Sequence, residues 1–275
     1  MNKLLHLLNW FDDKRSVLVS LSGGVDSALV AYAAFQKLGK RSIAVTADYK
    51  TLSQEELDTS KKITDEIGIK HIIINYNELE NENFVKNDSN RCFYCRDELS
   101  ENLIKTAKHH QLDVIVDGTH TDDLGDYRPG IDALRKNGIM SPLLDVNLYK
   151  DEIRKICKNI GLTVYNRPSN SCLASRIPWG QRVTAERLTR IEMGETIIKQ
   201  LTGFQQVRVR DLDGVAKIEV DPNNISAVYD QNYLPQIVNK LKMIGFSSVI
   251  IDQDGYKTGK LNLVYNKKSE SWNQR

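Results

Sequence analysis

The sequence predicts an α/β protein in which a parallel sheet is sandwiched by helices and followed by a small C-terminal α+β domain. Short, continuously apolar segments alternate with helical patterns through the first half of the chain, which is typical of parallel strands covered on both faces. A glycine pair joins the first of these segments to an apolar helical stretch. Beyond Thr184, two alternating segments flank Asp213-Gly214, a two-residue hairpin signal.

The elements of the first part are predicted from the spacing of their apolar residues. An amphipathic N-terminal helix is indicated by four of them, Leu4, Leu5, Leu8 and Phe11. Strands are predicted over four ranges, 17–21, 42–47, 71–74 and 113–119. Ser53 with Glu56 predicts a capping box for a helix that runs to Gly68. Ligands of parallel sheets bind beyond the carboxyl ends of the strands, so one site is expected around residues 22–27, 46–48 and 118–126.

The later elements locate a domain boundary. Helices are predicted over residues 91–110 and 149–160, and a long irregular segment follows at 166–180. Long structureless connections in compact domains are usually functional or linkers. We therefore predict a boundary near residues 165–182, with a first domain at 1–170 and a second domain at 171–275.

The second domain is predicted from the hairpin register. Pairing outward from Asp213-Gly214 sets Val209 opposite Ile218 and Val207 opposite Val220 on an apolar face. The same register gathers four charged residues on the other face, Arg208, Arg210, Lys217 and Glu219. A helix over 223–244 and a strand over 247–251 complete the predicted domain.

Composition narrows the class of protein. With 275 residues and 40% apolar content, the chain can bury one substantial core and a smaller one. A net charge of +2 argues against a large nucleic-acid partner. The N-terminal apolar stretch is too short for a signal peptide or membrane span, so the four cysteines are expected as thiols in a reducing cytoplasm.

The strongest motif is Ser22-Gly23-Gly24-Val25-Asp26-Ser27, between a predicted strand and a predicted helix. Glycines let the backbone turn tightly with its N–H groups inward, and a helix N-terminus adds partial positive charge. Ser22 and Ser27 add hydroxyl donors, while Asp26 is expected to orient the loop or meet magnesium. The segment therefore predicts a phosphate cradle; the alternative is a glycine-rich turn without a ligand.

The cysteines allow several interpretations. Cys92 and Cys95 form a C-x-x-C at a predicted helix start, where the helix dipole favours thiolates. A zinc finger, a redox pair and two unrelated cysteines are alternatives. A third thiolate at Cys172 would complete a site suited to a [4Fe–4S] cluster. Cys157 lies among apolar helical positions and is predicted to be a core residue.

Charged residues provide further candidates. Three loop acids are candidates for magnesium or for orienting ATP, or are solvated loop residues: Asp122, Asp123 and Asp126. Arg128 and Arg176 are candidates for bidentate binding of phosphate or carboxylate. Arg208 and Arg210 form either an anion clamp or a solvated charged face.

Together these motifs resemble the LarE sulfur transferases, a branch of the PP-loop ATP pyrophosphatase superfamily. The S-G-G-x-D-S loop at 22–27 indicates the superfamily, and four further segments indicate the branch: D-Y-R-P-G at 126–130, C-L-A-S-R-I-P at 172–178, V-R-V-R at 207–210 and G-Y-K-T-G at 255–259. The resemblance covers nearly the whole chain. It implies the adenine nucleotide alpha hydrolase-like fold and a homo-oligomer.

The resemblance implies ATP, Mg²⁺ and a small nucleotide substrate. ATP would adenylate a carboxylate of pyridinium-3,5-biscarboxylic acid mononucleotide, and sulfur would displace AMP, in nickel-pincer nucleotide synthesis. It implies ATP contacts at the 22–27 loop and at Ala47, Gly118, Asp126 and Arg128, with Asp126 also a magnesium ligand. Substrate phosphate would meet Ser175, Arg208 and Arg210.

Two types of LarE enzyme differ in their sulfur source. One type uses a lone cysteine, matching Cys172, which gives up its own sulfur. The other resembles this chain at Cys92, Cys95 and Cys172, and a [4Fe–4S] cluster would carry the sulfide. We expect the cluster type, with Cys172, Asp26 and Arg176 in the reaction. The alternatives are a tRNA-thiolating PP-loop enzyme, an amide-forming NAD or GMP synthetase-like enzyme, and a zinc-stabilised nucleotide-binding module.

Overall fold

A computed structural model describes residues 3–125 and 129–257. Backbone contacts divide this part of the chain into two compact units. The first unit comprises the chain up to Glu78 together with Asn90–Asn170. The second comprises Leu79–Ser89 and the chain from Ser171 onward. The division after Asn170 falls where the sequence predicted a boundary, whereas the sequence placed Leu79–Ser89 in the first domain.

The elements are as follows. The strands are β1 Val17–Ser20, β2 Ser42–Asp48, β3 Lys70–Asn75, β4 Val114–Val116, β5 Val207–Leu212, β6 Val215–Val220 and β7 Ser248–Ile251. The helices are α1 Lys3–Asn9, α2 Val25–Leu38, α3 Gln54–Ile67, α4 Glu82–Val85, α5 Arg91–His109, α6 Pro129–Lys136, α7 Pro142–Asp145, α8 Lys150–Asn159, α9 Ala185–Thr202, α10 Ile225–Val228 and α11 Leu234–Met243. Short 3-10 turns include Thr163–Asn166 and Leu173–Arg176.

The first unit is built on a parallel sheet with the strand order β3-β2-β1-β4. Val17 of β1 lies opposite Ser42 of β2 and Val114 of β4. Alternate residues of β1 face two different cores: Val17 and Val19 pack with α1, α2 and α8, whereas Leu18 packs with α5 and α6. Helices thus cover both faces of the sheet, which explains its continuously apolar strands and confirms the predicted α/β class.

Helix α3 begins as the sequence predicted. The Ser53 hydroxyl accepts a hydrogen bond from the Glu56 N–H, and Gly68 ends the helix in a left-handed conformation. The Glu56 carboxylate does not complete the predicted capping box. It accepts hydrogen bonds from Arg167 and Asn170 instead.

The second unit contains a three-stranded sheet in which β5 and β6 are antiparallel and β6 and β7 are parallel. The predicted hairpin register is confirmed, with Val207 opposite Val220 and Val209 opposite Ile218. Asp213 and Gly214 have positive φ values of 54° and 87°, as a two-residue hairpin turn requires. The predicted helix over 223–244 was wrong: it is divided into α10 and α11, since Pro235 lies in the first turn of a new helix.

Asn87 explains why Leu79–Ser89 belongs to the second unit. It is fully buried with a φ of 58°, and its side-chain amide donates to the carbonyls of Pro178 and Gln181 at 2.8 and 2.7 Å. The Val183 N–H donates to the Val85 carbonyl at 2.9 Å. These bonds join segments that are remote in the sequence.

Candidate active site

The phosphate loop is held in shape by its own serines. The Ser27 hydroxyl accepts from the Ser22 N–H at 3.1 Å and donates to the Gly24 carbonyl at 3.2 Å. Gly23 has a φ of +79°, which an L side chain rarely adopts. Gly24 caps α2 without a side-chain hydrogen bond, so the first-turn N–H groups are presented in the manner of an anion-binding helix terminus.

The backbone that follows β4 packs against the phosphate loop at Gly118. A Cβ on Gly118 would lie 2.7 Å from the Ser27 nitrogen and 3.1 Å from the Asp26 carbonyl carbon. Only glycine allows that approach without displacing the backbone. Ala47, near the end of β2, pairs with Ile74 of β3 and belongs to the same sheet edge. The predicted carboxyl-edge positions are therefore brought together.

Asp26 is engaged by a lysine that sequence reasoning missed. The Lys150 ammonium nitrogen lies 2.7 and 2.5 Å from the two carboxylate oxygens of Asp26. Lys150 is the first residue of α8, where the helix dipole disfavours a cation. A lysine at this unfavourable position was the one sequence signal that Lys150 has a specific partner. The ion pair sets a cation directly beside the phosphate loop.

The sequence did not predict a role for His120, which lies close to Asp26 and to the loop acids Asp122 and Asp123. It is buried, with its Nε2 atom 3.8 Å from Asp26 and 3.7 Å from Asp123, and its Nδ1 atom 3.5 Å from Asp122. The backbone N–H of His120 donates to the Asp123 carboxylate at 3.0 Å, and the backbone N–H of Lys150 donates to the Asp122 carboxylate at 2.7 Å. Asp122 and Asp123 therefore bind protein groups at this edge.

Asp126 and Arg128 lie outside the described residues, so their predicted roles at ATP and magnesium stay predictions. Within residues 3–125 and 129–257, no three His, Cys, Asp or Glu side chains are grouped so that they could hold a metal ion. None of the helices in the same ranges has the length and apolarity needed to cross a bilayer.

Cys92 and Cys95 lie one turn apart at the start of α5, and both are partly exposed. The neighbouring helix α6 packs closely there: a Cβ on Gly130 would lie 3.2 Å from the Cys92 carbonyl oxygen and 2.8 Å from Arg96 Cγ. Gly130, the glycine of the D-Y-R-P-G segment, thus allows α6 to pack closely against α5, the helix that carries the C-x-x-C. Residues at i and i+3 lie on the same face of a helix, so the two thiols are neighbours there.

Glu78 is a buried acid beside Cys95. It accepts a hydrogen bond from the Thr51 hydroxyl at 2.7 Å and interacts with the Cys95 thiol. Burial raises the pKa of Glu78 to about 7, against the lowering effect of the Cys95 and Thr51 hydrogen bonds. Nothing in the local sequence distinguished this glutamate from its exposed neighbours.

Cys172 belongs to the second unit and is partly exposed. The fully buried Arg176 holds its loop, since Nη1 donates to the Ser171 and Cys172 carbonyls at 2.5 and 3.0 Å. The rest of the guanidinium pairs with Glu195 of α9 at 2.8 and 3.0 Å. Burial alone would raise the pKa of Glu195, but the charge of Arg176 keeps it below its ordinary value. Arg176 was a candidate for bidentate binding of phosphate or carboxylate. Its bidentate partner in the structure is the carboxylate of Glu195, a residue of the protein itself.

Arg208 and Arg210 are both buried, so the solvated charged face is excluded. Arg210 donates to Glu219 at 2.8 Å and to the Ser175 carbonyl at 2.7 Å. Arg208 lies 5.2 Å from the centre of the Tyr256 ring and donates to the Val207 carbonyl at 2.8 Å. Burial and the nearby charge of Arg176 lower the pKa of Arg208. Ser175, Arg208 and Arg210 thus lie in one buried, positively charged region of the second unit.

Cys157 is a core residue, as predicted, and its thiol donates to the Val25 carbonyl at 3.8 Å. Burial raises its pKa to about 12, so the thiol is neutral at pH 8 and inaccessible. We expect iodoacetamide to modify Cys92, Cys95 and Cys172 in the native apoprotein and Cys157 only after denaturation. Peptide mass spectrometry checks this; rapid native labelling of Cys157 would contradict its placement.

The chain is similar to several known proteins and to one family model. The family model for the queuosine biosynthesis protein QueC matches residues 16–90. An uncharacterized protein of Synechocystis is 38% identical over 266 residues, 97% of this chain and 99% of that protein. Pyridinium-3,5-bisthiocarboxylic acid mononucleotide synthase of Lactiplantibacillus plantarum is 28% identical over 253 residues, 91% of this chain and 90% of the synthase. An uncharacterized protein of Methanocaldococcus jannaschii is 28% identical over 261 residues, 94% of this chain and 98% of that protein.

The parallel sheet, the glycine-rich loop and these similarities define a PP-loop ATP pyrophosphatase, a class that uses ATP and Mg²⁺. Within that superfamily, the chain belongs to the LarE family of ATP-dependent sulfur transferases. The resemblance found from the motifs is confirmed.

Proposed function

We propose that the enzyme converts the carboxylates of pyridinium-3,5-biscarboxylic acid mononucleotide into thiocarboxylates, for a nickel-pincer nucleotide cofactor. The observation that carries the proposal is the similarity to the Lactiplantibacillus synthase over 91% of this chain. That similarity spans the phosphate loop and also the unit that carries Cys172. The buried positive region around Arg208 supports a substrate with a phosphate group.

The first step is adenylation at the phosphate loop. A substrate carboxylate oxygen attacks the α-phosphorus of ATP, the bond to the β-phosphate breaks, and pyrophosphate leaves. The loop N–H groups would stabilise the charge that develops on the departing pyrophosphate, as would the ammonium group of Lys150, which pairs with Asp26. Mg²⁺ would supply further neutralisation. A sulfur nucleophile then attacks the acyl carbon and AMP leaves. Each cycle consumes one ATP and converts one carboxylate.

We assign the sulfur source to a [4Fe–4S] cluster on Cys92, Cys95 and Cys172. The thiols of all three are partly exposed, whereas Cys157 is buried. A cluster with three protein ligands has one iron open, and when bound it would supply the sulfide. Ser175, Arg208 and Arg210 would hold the substrate phosphate, with Arg176 positioning the Cys172 loop. Assembly into a homo-oligomer belongs to the same proposal.

Iron and acid-labile sulfide are measured on anaerobically purified wild type and on Cys92→Ala, Cys95→Ala and Cys172→Ala. Wild type is expected to hold about four irons per chain, lost in each variant. Cys157→Ala is the matched control and should keep its iron. Absence of iron, with loss of the Cys172 sulfur after turnover, would overturn the cluster in favour of a sacrificial cysteine. Absence of substrate-dependent pyrophosphate release would overturn the proposed function itself.

A further inference from the structure

Glu56 touches the phosphate loop from the first turn of α3. A Cβ on Gly23 would lie 2.6 Å from the Glu56 carbonyl oxygen and 2.9 Å from its carboxylate oxygen Oε2. Gly23 is itself held at a φ of +79°. Loop and glutamate are therefore in direct contact, and a change in the loop backbone must be transmitted to Glu56.

Both carboxylate oxygens of Glu56 bind the last residues of the first unit. Oε2 accepts from Arg167 Nη1 at 2.8 Å, and Oε1 accepts from Asn170 Nδ2 at 2.7 Å. Arg167 Nη1 also lies 3.3 Å from the Gly23 carbonyl oxygen, and its Nη2 lies 3.1 Å from Glu55. The side chains of Glu56 and Arg167 are only 9% and 19% exposed, so solvent screens this pair weakly.

The sequence continues from Asn170 directly into Ser171 and Cys172. Pro168 lies between the two residues that Glu56 binds and restricts that short stretch of backbone. Both ends of the segment 167–170 thus bind Glu56, two residues before the cysteine, and Arg167 also binds the loop at the Gly23 carbonyl.

We propose that Glu56 and Arg167 are positioning residues that couple nucleotide binding at the phosphate loop to the segment carrying Cys172. Occupation of the loop by ATP orders residues 167–176 and so prepares the cysteine for the sulfur-transfer step. This inference rests on the proposed function. It predicts that the pair matters more for sulfur transfer than for adenylation.

The test compares Arg167→Met, Arg167→Lys and Glu56→Gln with wild type in two reactions. Substrate-dependent ATP–pyrophosphate exchange reports adenylation, and mass spectrometry of the thiocarboxylate product reports sulfur transfer. Arg167→Met and Glu56→Gln should keep exchange within about threefold of wild type. Both should lose sulfur transfer by about tenfold or more, since misplacing a reacting group can cost up to about 100-fold in rate. Arg167→Lys should recover part of the loss. Arg182→Met, which removes an exposed bidentate pair with Glu82, is the control and should change neither reaction.

A second measurement does not depend on catalysis. Amide hydrogen exchange is followed in peptides covering 168–176, with and without a non-hydrolysable ATP analogue. Protection by the nucleotide is expected in wild type and Arg182→Met but not in Arg167→Met. Equal losses in both reactions, or unchanged nucleotide protection in Arg167→Met, would overturn the coupling. A wild type that makes no thiocarboxylate yet shows Arg167-dependent protection would refute the proposed function and leave the coupling standing.

Discussion

Asp26→Asn is expected to lower the rate of ATP-dependent pyrophosphate release by about 100-fold or more. Asparagine keeps the size of the side chain but removes its charge, so Lys150 loses the partner that it binds at 2.5 and 2.7 Å. The ammonium group is then no longer held beside the loop, and the carboxylate that is expected to orient the loop or meet Mg²⁺ is lost. Removing one preorganised group of this kind typically costs about 100- to 1,000-fold in rate. A continuous pyrophosphate assay with saturating ATP and Mg²⁺ measures the effect.

The matched control is Asp12→Asn, which removes another lysine-paired aspartate of the first unit. Asp12 lies 2.6 Å from Lys37, and its side chain is 56% exposed, against 22% for Asp26. Pyrophosphate release should be unchanged in this variant. A rate for Asp26→Asn within threefold of the control would show that the ion pair with Lys150 has no role in the reaction. Both variants should unfold at nearly the same urea concentration as wild type, because exposed or partly exposed pairs contribute little to stability.

Arg176→Met is expected to lower the free energy of unfolding of the second unit by about 3–5 kcal/mol. The guanidinium is fully buried, and its removal leaves the Glu195 carboxylate buried without a counter-charge. It also removes the donors to the Ser171 and Cys172 carbonyls, so the Cys172 loop loses its anchor. Urea denaturation followed by circular dichroism gives the magnitude. Native hydrogen exchange of peptides from α9 and β5 assigns the loss to the second unit.

The double variant Arg176→Met/Glu195→Leu separates the ion pair from side-chain packing. Removing both charges should recover a substantial part of the lost stability, because no unpaired charge then remains buried. Sulfur transfer should stay impaired in the double variant, since the loop contacts to the Ser171 and Cys172 carbonyls are still absent. A single variant as stable as wild type would contradict a buried charge pair at this position.

Features that depend on neighbours in the chain were predictable from the sequence. The β1–loop–α2 segment combines a short apolar run, two glycines and an apolar helix, and each part is a local conformational preference. The Asp213-Gly214 turn set the whole hairpin register, because side chains alternate with a period of two along each strand. The core position of Cys157 followed from the helical spacing of its apolar neighbours. The motifs also indicated the family, because each consists of residues close together in the chain.

Which charged groups pair with one another was decided only by the tertiary structure. Lys150 meets Asp26 across 124 residues of sequence, and the Arg176–Glu195 pair depends on α9 passing the Cys172 loop. Glu219 lies opposite Arg208 in the register, yet it binds Arg210, because the Arg208 guanidinium turns to the Tyr256 ring and the Val207 carbonyl. Glu56 had the sequence signature of a helix cap and instead joins the phosphate loop to Arg167 and Asn170. Local pattern specifies backbone conformation through short-range sterics and hydrogen bonds, whereas a buried charge is stable only beside partners that the completed fold brings to it.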